Sequence, residues 1–175
     1  YICLSYVWGN EDKGQHILIN GETFRVRRNL YKFLEMASGK SRLLREWLWI
    51  DALCIDQSNG VERNHQVQQM GPIYSSAIEV IPWLGPNKYI AEFLEDAQRL
   101  RGKETWRARG EGYHHFCSSE YWDRAWIIQE VALGHRVTLC ASDAELNAEL
   151  LQFEGWDHPD KVIDLSLLGI ACRKN

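Results

Sequence analysis

Four short apolar runs, rich in aromatic and β-branched residues, recur along the chain with helix-like segments between them. Runs that are apolar almost throughout are typical of strands covered on both faces of a sheet. Strands that alternate with helices favour an α/β fold with a mostly parallel, doubly wound sheet. Pro82 lacks the N–H that a sheet ladder needs, so we expect its strand at an edge or a bulge. The predicted strands comprise residues 1–8, 47–51, 79–84 and 136–141.

An inserted β-hairpin and several helices complete the predicted architecture. Asn20 and Gly21 form a strong two-residue turn signal between residues 16–19 and residues 22–26. Asn29 is expected to cap the helix that follows it, and Pro72 should kink or split the helix in which it falls. The predicted helices comprise residues 30–37, 61–77, 88–100, 119–133, 143–153 and 162–172, and residues 101–116 are predicted to form a long surface loop.

The length of 175 residues favours a single domain. We expect this domain to span residues 1–153, because the patterning is weaker beyond that point. The chain begins with Tyr1 in the middle of a strand-like run, which is typical of a fragment. The tail of residues 154–175 is therefore expected to be the start of a further segment of a longer protein.

Composition and missing motifs exclude several functional classes. The net charge is −4 and the chain has no basic stripe, so we expect no nucleic-acid partner. No apolar run approaches the ~18 residues of a membrane-spanning helix. The five cysteines include no CxxC pair, which argues against a disulfide framework or a thiolate zinc site and fits a reducing, cytoplasmic location. The patterns GxGxxG, GxxxxGKS/T and GxSxG do not occur, and we expect neither a cofactor nor a metal.

Glu130 is the best candidate for a functional acid. It lies in the predicted helix of residues 119–133, which is apolar on nearly every side and should be mostly buried. Trp126 precedes it by four residues and therefore shares its face of the helix. A carboxylate in such a place must find a partner, face a cleft or change its protonation. The alternative is a buried structural glutamate paired with an arginine such as Arg124.

The expected sheet groups further polar and aromatic residues near Glu130. In doubly wound sheets, ligands bind at the carboxyl ends of the strands, beside the switch point. That rule brings together residues 5–9, which end the first strand, and the loop of residues 51–57, which follows the second. Loop capping is an equal alternative for the two aspartates of that loop. The candidate substrate-binding residues are Ser5, Tyr6, Trp8, Gly9, Asp51, Cys54, Asp56, Gln57 and Trp126.

Cys54 has two further interpretations. It is a nucleophile candidate if His65 or His16 lies within reach of its sulfur. The commoner role of a cysteine beside a strand is that of a buried, unreactive residue.

A cleft with carboxylates, tryptophans and amides but no metal suits the cleavage of an N-glycosidic bond with a charged leaving group. The transition state resembles an oxocarbenium ion, which a carboxylate can stabilise while an aromatic face stacks on the base. Nicotinamide departs from NAD without needing a proton. An NAD-type nucleotide is therefore a candidate substrate.

Several sequence blocks together resemble the fungal heterokaryon-incompatibility (HET) domain. They occur in the order of that family between residues 1 and 141, and agreement over several multi-residue blocks is highly specific. The assignment extends to the whole predicted domain of residues 1–153. The blocks are YICLSYVWG, LWIDALCIDQ, ER..QV..M, IYSSA, VIPWLG and YWDRAWIIQEVALG.

The resemblance implies a role in non-self recognition and regulated cell death in filamentous fungi. HET domains are also similar to TIR domains, which implies a flavodoxin-like fold. By that similarity Glu130 is expected to be the catalytic acid of an NAD(P)+ glycohydrolase. The same similarity allows a second reading, a non-catalytic signalling module that acts through self-association and a partner or sensor domain.

Overall fold

The computed structural model describes residues 1–100 and 110–151. The predicted helix of residues 162–172 and the tail of residues 154–175 lie outside these ranges. Residues 101–109 of the predicted surface loop lie outside them as well.

The described residues contain a five-stranded sheet that is parallel except at one edge. β1 (Ile2–Tyr6) lies between β4 (Leu48–Trp49) and β5 (Glu79–Trp83), parallel to both. β6 (Thr138–Ala141) lies parallel to β5, and β7 (Ala144–Asn147) closes the sheet as an antiparallel edge strand. The order is β4-β1-β5-β6-β7, and its switch point therefore lies between β1 and β5. The mostly parallel α/β sheet is confirmed, whereas its assignment as flavodoxin-like or TIR-like remains a prediction.

Helices cover both faces of this sheet. Leu4 and Phe33 belong to the apolar core on one face, and Cys3 and Tyr74 belong to the core on the other. These contacts follow from the alternation of side chains along β1, which sends successive residues to opposite faces. The helices are α1 (Arg28–Ser38), α2 (Asp51–Cys54), α3 (Gly60–Ser75), α4 (Lys88–Leu100), α5 (Glu111–Cys117) and α6 (Ile127–Ala132).

The inserted hairpin is confirmed. β2 (Gly14–Ile19) pairs antiparallel with β3 (Glu22–Arg27) in a separate two-stranded sheet. Asn20 and Gly21 have φ values of 53° and 86°, as the tight turn of a two-residue hairpin loop requires.

The strand that contains Pro82 is central, so its predicted position at an edge or bulge is wrong. β5 pairs with β1 on one side and β6 on the other. The N–H groups of Val80 and Leu84 donate to carbonyls of Arg136 and Cys140 on the β6 side. Because N–H directions alternate along a strand, the missing N–H of residue 82 belongs to this ladder. The proline therefore removes one bond to β6 and leaves the pairing with β1 intact.

Asn29 does not cap α1, contrary to prediction, because the helix already begins at Arg28. The Nδ2 of Asn29 instead donates to the carbonyl of Val7 at 2.6 Å. Its Oδ1 accepts a bond from the indole Nε1 of Trp83 at 2.9 Å. The side chain thus joins the chain segments that follow β1 and end β5.

Three further predictions differ from the structure. Residues 111–117 form α5 instead of loop. α3 runs unbroken through Pro72, so the predicted split is wrong. The predicted helix of residues 143–153 begins instead with β7, in which Ala144 and Leu146 alternate inward.

α5 packs closely on α4, and we expect that contact to be sensitive to a single added methyl group. A Cβ at Gly112 would lie 2.5 Å from the backbone carbonyl oxygen of Tyr89. Gly112→Ala should therefore lower the free energy of unfolding by about 1–3 kcal/mol, as measured by urea denaturation. The control is Gly60→Ala at the start of α3, where a Cβ meets nothing within 4 Å. Equal effects of the two substitutions would contradict the close α4–α5 contact.

Candidate functional site

The predicted helix of residues 119–133 is two short elements joined by an extended residue. Ser119 caps a 3-10 turn, Glu120–Asp123, by accepting a bond from the N–H of Tyr121. Arg124 then has a φ of −75° and a ψ of 134°, which are extended values. α6 begins three residues later. This bend lets the Arg124 side chain reach Glu130, six residues further along the chain.

The Glu130 carboxylate is buried and fully engaged. Its side chain is paired with Arg124 in a bidentate contact, Nη1 to Oε2 at 2.7 Å and Nη2 to Oε1 at 2.7 Å. The hydroxyl of Ser5 also donates to Oε2 at 2.5 Å. The residue as a whole is 1% exposed. A buried carboxylate with charge-assisted bonds to both oxygens needs no further partner.

Ser5 and Tyr121 extend this group, so that a helix, a turn and a strand meet at Glu130. Ser5 is completely buried on β1, accepts a bond from Nη1 of Arg124 at 2.9 Å and shares a hydrogen bond with the hydroxyl of Tyr121. Burial, reinforced by the charge of Glu130, raises the pKa of Tyr121. Burial opposes the charge of Arg124, but the Glu130 carboxylate more than offsets this and holds the pKa of the guanidinium above its usual value. We refer to Ser5, Tyr121, Arg124 and Glu130 as the clasp.

A second group of predicted residues meets around Asp51. Asp51 begins α2 and accepts a bond from the indole Nε1 of Trp8 at 2.8 Å, while Nε2 of Gln57 donates to its backbone carbonyl at 2.9 Å. Burial raises the pKa of Asp51, although the bonds from Trp8 and from the N–H of Ala52 act in the opposite direction. Burial and the neighbouring Asp51 also raise the pKa of Tyr6. The structure thus brings Tyr6, Trp8, Asp51 and Gln57 together, and their role in substrate binding remains a prediction.

The remaining predicted residues lie at the surface. Asp56 is exposed, and its Oδ1 accepts bonds from the N–H and the hydroxyl of Ser58, which is the loop-capping alternative. Cys54 is also exposed, and its sulfur accepts a bond from the N–H of Ile50. Trp126 is 45% exposed. Gly9 has a φ of 71° and its carbonyl accepts a bond from Arg27.

A cavity of about 580 Å³ opens at the carboxyl ends of β1 and β5. This is the switch point at which ligands bind in doubly wound sheets. Of the predicted site residues, Gly9 lines the cavity, whereas Ser5 and Glu130 do not. Tyr121 is a lining residue and stands between the cavity and the rest of the clasp. Other lining residues are Asn29, Gly85, Lys88, Tyr89 and His115.

Tyr121 is a site residue that was not predicted, although it belongs to the block YWDRAWIIQEVALG that carries the family resemblance. Asn29 and Lys88 were not predicted either, and they line the cavity together with residues of the loops after β1 and β5. Neither loop has a binding motif that would have identified these residues.

Within residues 1–100 and 110–151, no three His, Cys, Asp or Glu side chains lie close enough together to bind a metal ion. The helices of this part of the chain are too short or too polar for any of them to cross a bilayer.

Comparisons with known proteins agree with the blocks that carry the resemblance. The family described as "Heterokaryon incompatibility protein (HET)" matches residues 1–130. A Neurospora crassa protein named "Heterokaryon incompatibility protein 6, OR allele" is 36% identical over 117 residues. The alignment covers 59% of this chain and only 17% of that relative. No solved structure matches the chain.

Breaking the clasp should destabilise the fold strongly. Arg124→Met leaves the Glu130 carboxylate buried without its cation, and we expect a loss of about 3–5 kcal/mol in the free energy of unfolding. The double variant Arg124→Met with Glu130→Leu removes both charges and should recover much of this loss. Urea denaturation measures the free energy of unfolding of both variants.

The matched control is Arg99→Met, which removes an exposed guanidinium paired with Asp96 at 2.7 Å. Exposed pairs contribute about 0–1 kcal/mol. An Arg124→Met loss as small as that of Arg99→Met would show that the buried pair does not stabilise this part of the fold.

Proposed function

The chain belongs to the heterokaryon incompatibility (HET) family, and from that premise we propose that it acts in fungal non-self recognition and regulated cell death as a non-catalytic signalling module. In this proposal it works in the cytoplasm, through self-association and through a partner or sensor domain. Support for the role comes from the family match over residues 1–130 and from the name of the Neurospora crassa relative.

The engagement of Glu130 is the observation that favours signalling over hydrolysis. A carboxylate that stabilises a ribosyl cation must lie next to the reacting carbon with its charge available. Here a guanidinium binds both oxygens, Ser5 binds one of them, and the residue is 1% exposed. The Arg124 cation offsets the negative charge that the chemistry requires.

A second candidate function is hydrolysis of the N-glycosidic bond of NAD(P)+ or a related nucleotide by a flavodoxin-like, TIR-like domain. The cavity at the switch point favours it, because its volume is within the usual range for small-molecule sites, about 300–1,000 Å³. Tyr121 borders this cavity and contacts Ser5, which contacts Glu130. In this candidate, Tyr121 and Arg124 must move before a nucleotide meets the carboxylate.

The two candidates differ in whether nicotinamide is released from NAD or NADP. In the signalling module, the 175-residue chain should release no more nicotinamide than its Glu130→Gln variant, as measured by chromatography. Fusion to a trimeric coiled coil should not change this result, and it controls for activation by clustering. Nicotinamide release that falls by roughly 10² or more in Glu130→Gln would establish Glu130 as the catalytic acid and overturn the proposal.

Two checks accompany this experiment. Glu35→Gln changes an exposed carboxylate that is paired with Lys32, and it should behave like the wild type in either case. Circular dichroism of Glu130→Gln must show a folded chain, since an unfolded variant loses activity for another reason.

A further inference from the structure

We draw no further inference here: the strongest candidate, the cavity at the carboxyl ends of β1 and β5 that Lys88 and the stacked rings of Tyr89 and His115 line, belongs to the site already described, and one exposed lysine at the start of α4 does not identify a further ligand.

Discussion

The buried ion pair between Arg124 and Glu130 joins the second half of this domain to its central strand. It connects an extended residue after the 3-10 turn to α6, and through Ser5 it connects both to the central strand β1. Removing two charges from water costs several kcal/mol per ion, so such a pair persists only with good geometry and further hydrogen bonds. Arg124 and Glu130 have both, since the contact is bidentate and Ser5 completes it. The same contact that joins α6 to β1 through Ser5 also withdraws the acid from solvent.

The two edges of the sheet differ in how their side chains are paired and exposed. At the carboxyl edge, polar groups are paired with one another, and the cavity is bounded by Tyr121 instead of by Glu130. At the amino edge, Glu79 is bound by Arg42 and Arg136, and Trp47 is exposed. The engagement of Glu130 is the observation on which the signalling proposal depends. The match to the HET family supports a role in heterokaryon incompatibility.

Much of the fold could be predicted because buried parallel strands leave apolar runs in the sequence, and the Asn20-Gly21 turn has few alternatives. Errors arose where local signals were ambiguous. Residues 144–147 contain good helix formers, but Ala144 and Leu146 alternate inward as in a strand. A run of four residues is too short to distinguish the two-residue period of a strand from the 3.6-residue period of a helix. The predicted edge position of the strand that contains Pro82 was wrong because the missing N–H affects the pairing with only one of the two neighbouring strands. For the site, the apolar residues around Glu130 in the sequence predicted its burial. The bend at Arg124, which brings the guanidinium to Glu130, could not be predicted because no proline or glycine marks it.

The Glu130 carboxylate is closed to solvent and does not line the cavity. Carbodiimide-mediated coupling of an amine, followed by mass spectrometry of the peptides, measures this for each carboxylate with and without NAD. Glu11, whose side chain is 77% exposed, should be modified readily. Glu130 should stay unmodified in both conditions while the chain is folded. Modification of Glu130 at a rate similar to that of Glu11 would contradict this prediction.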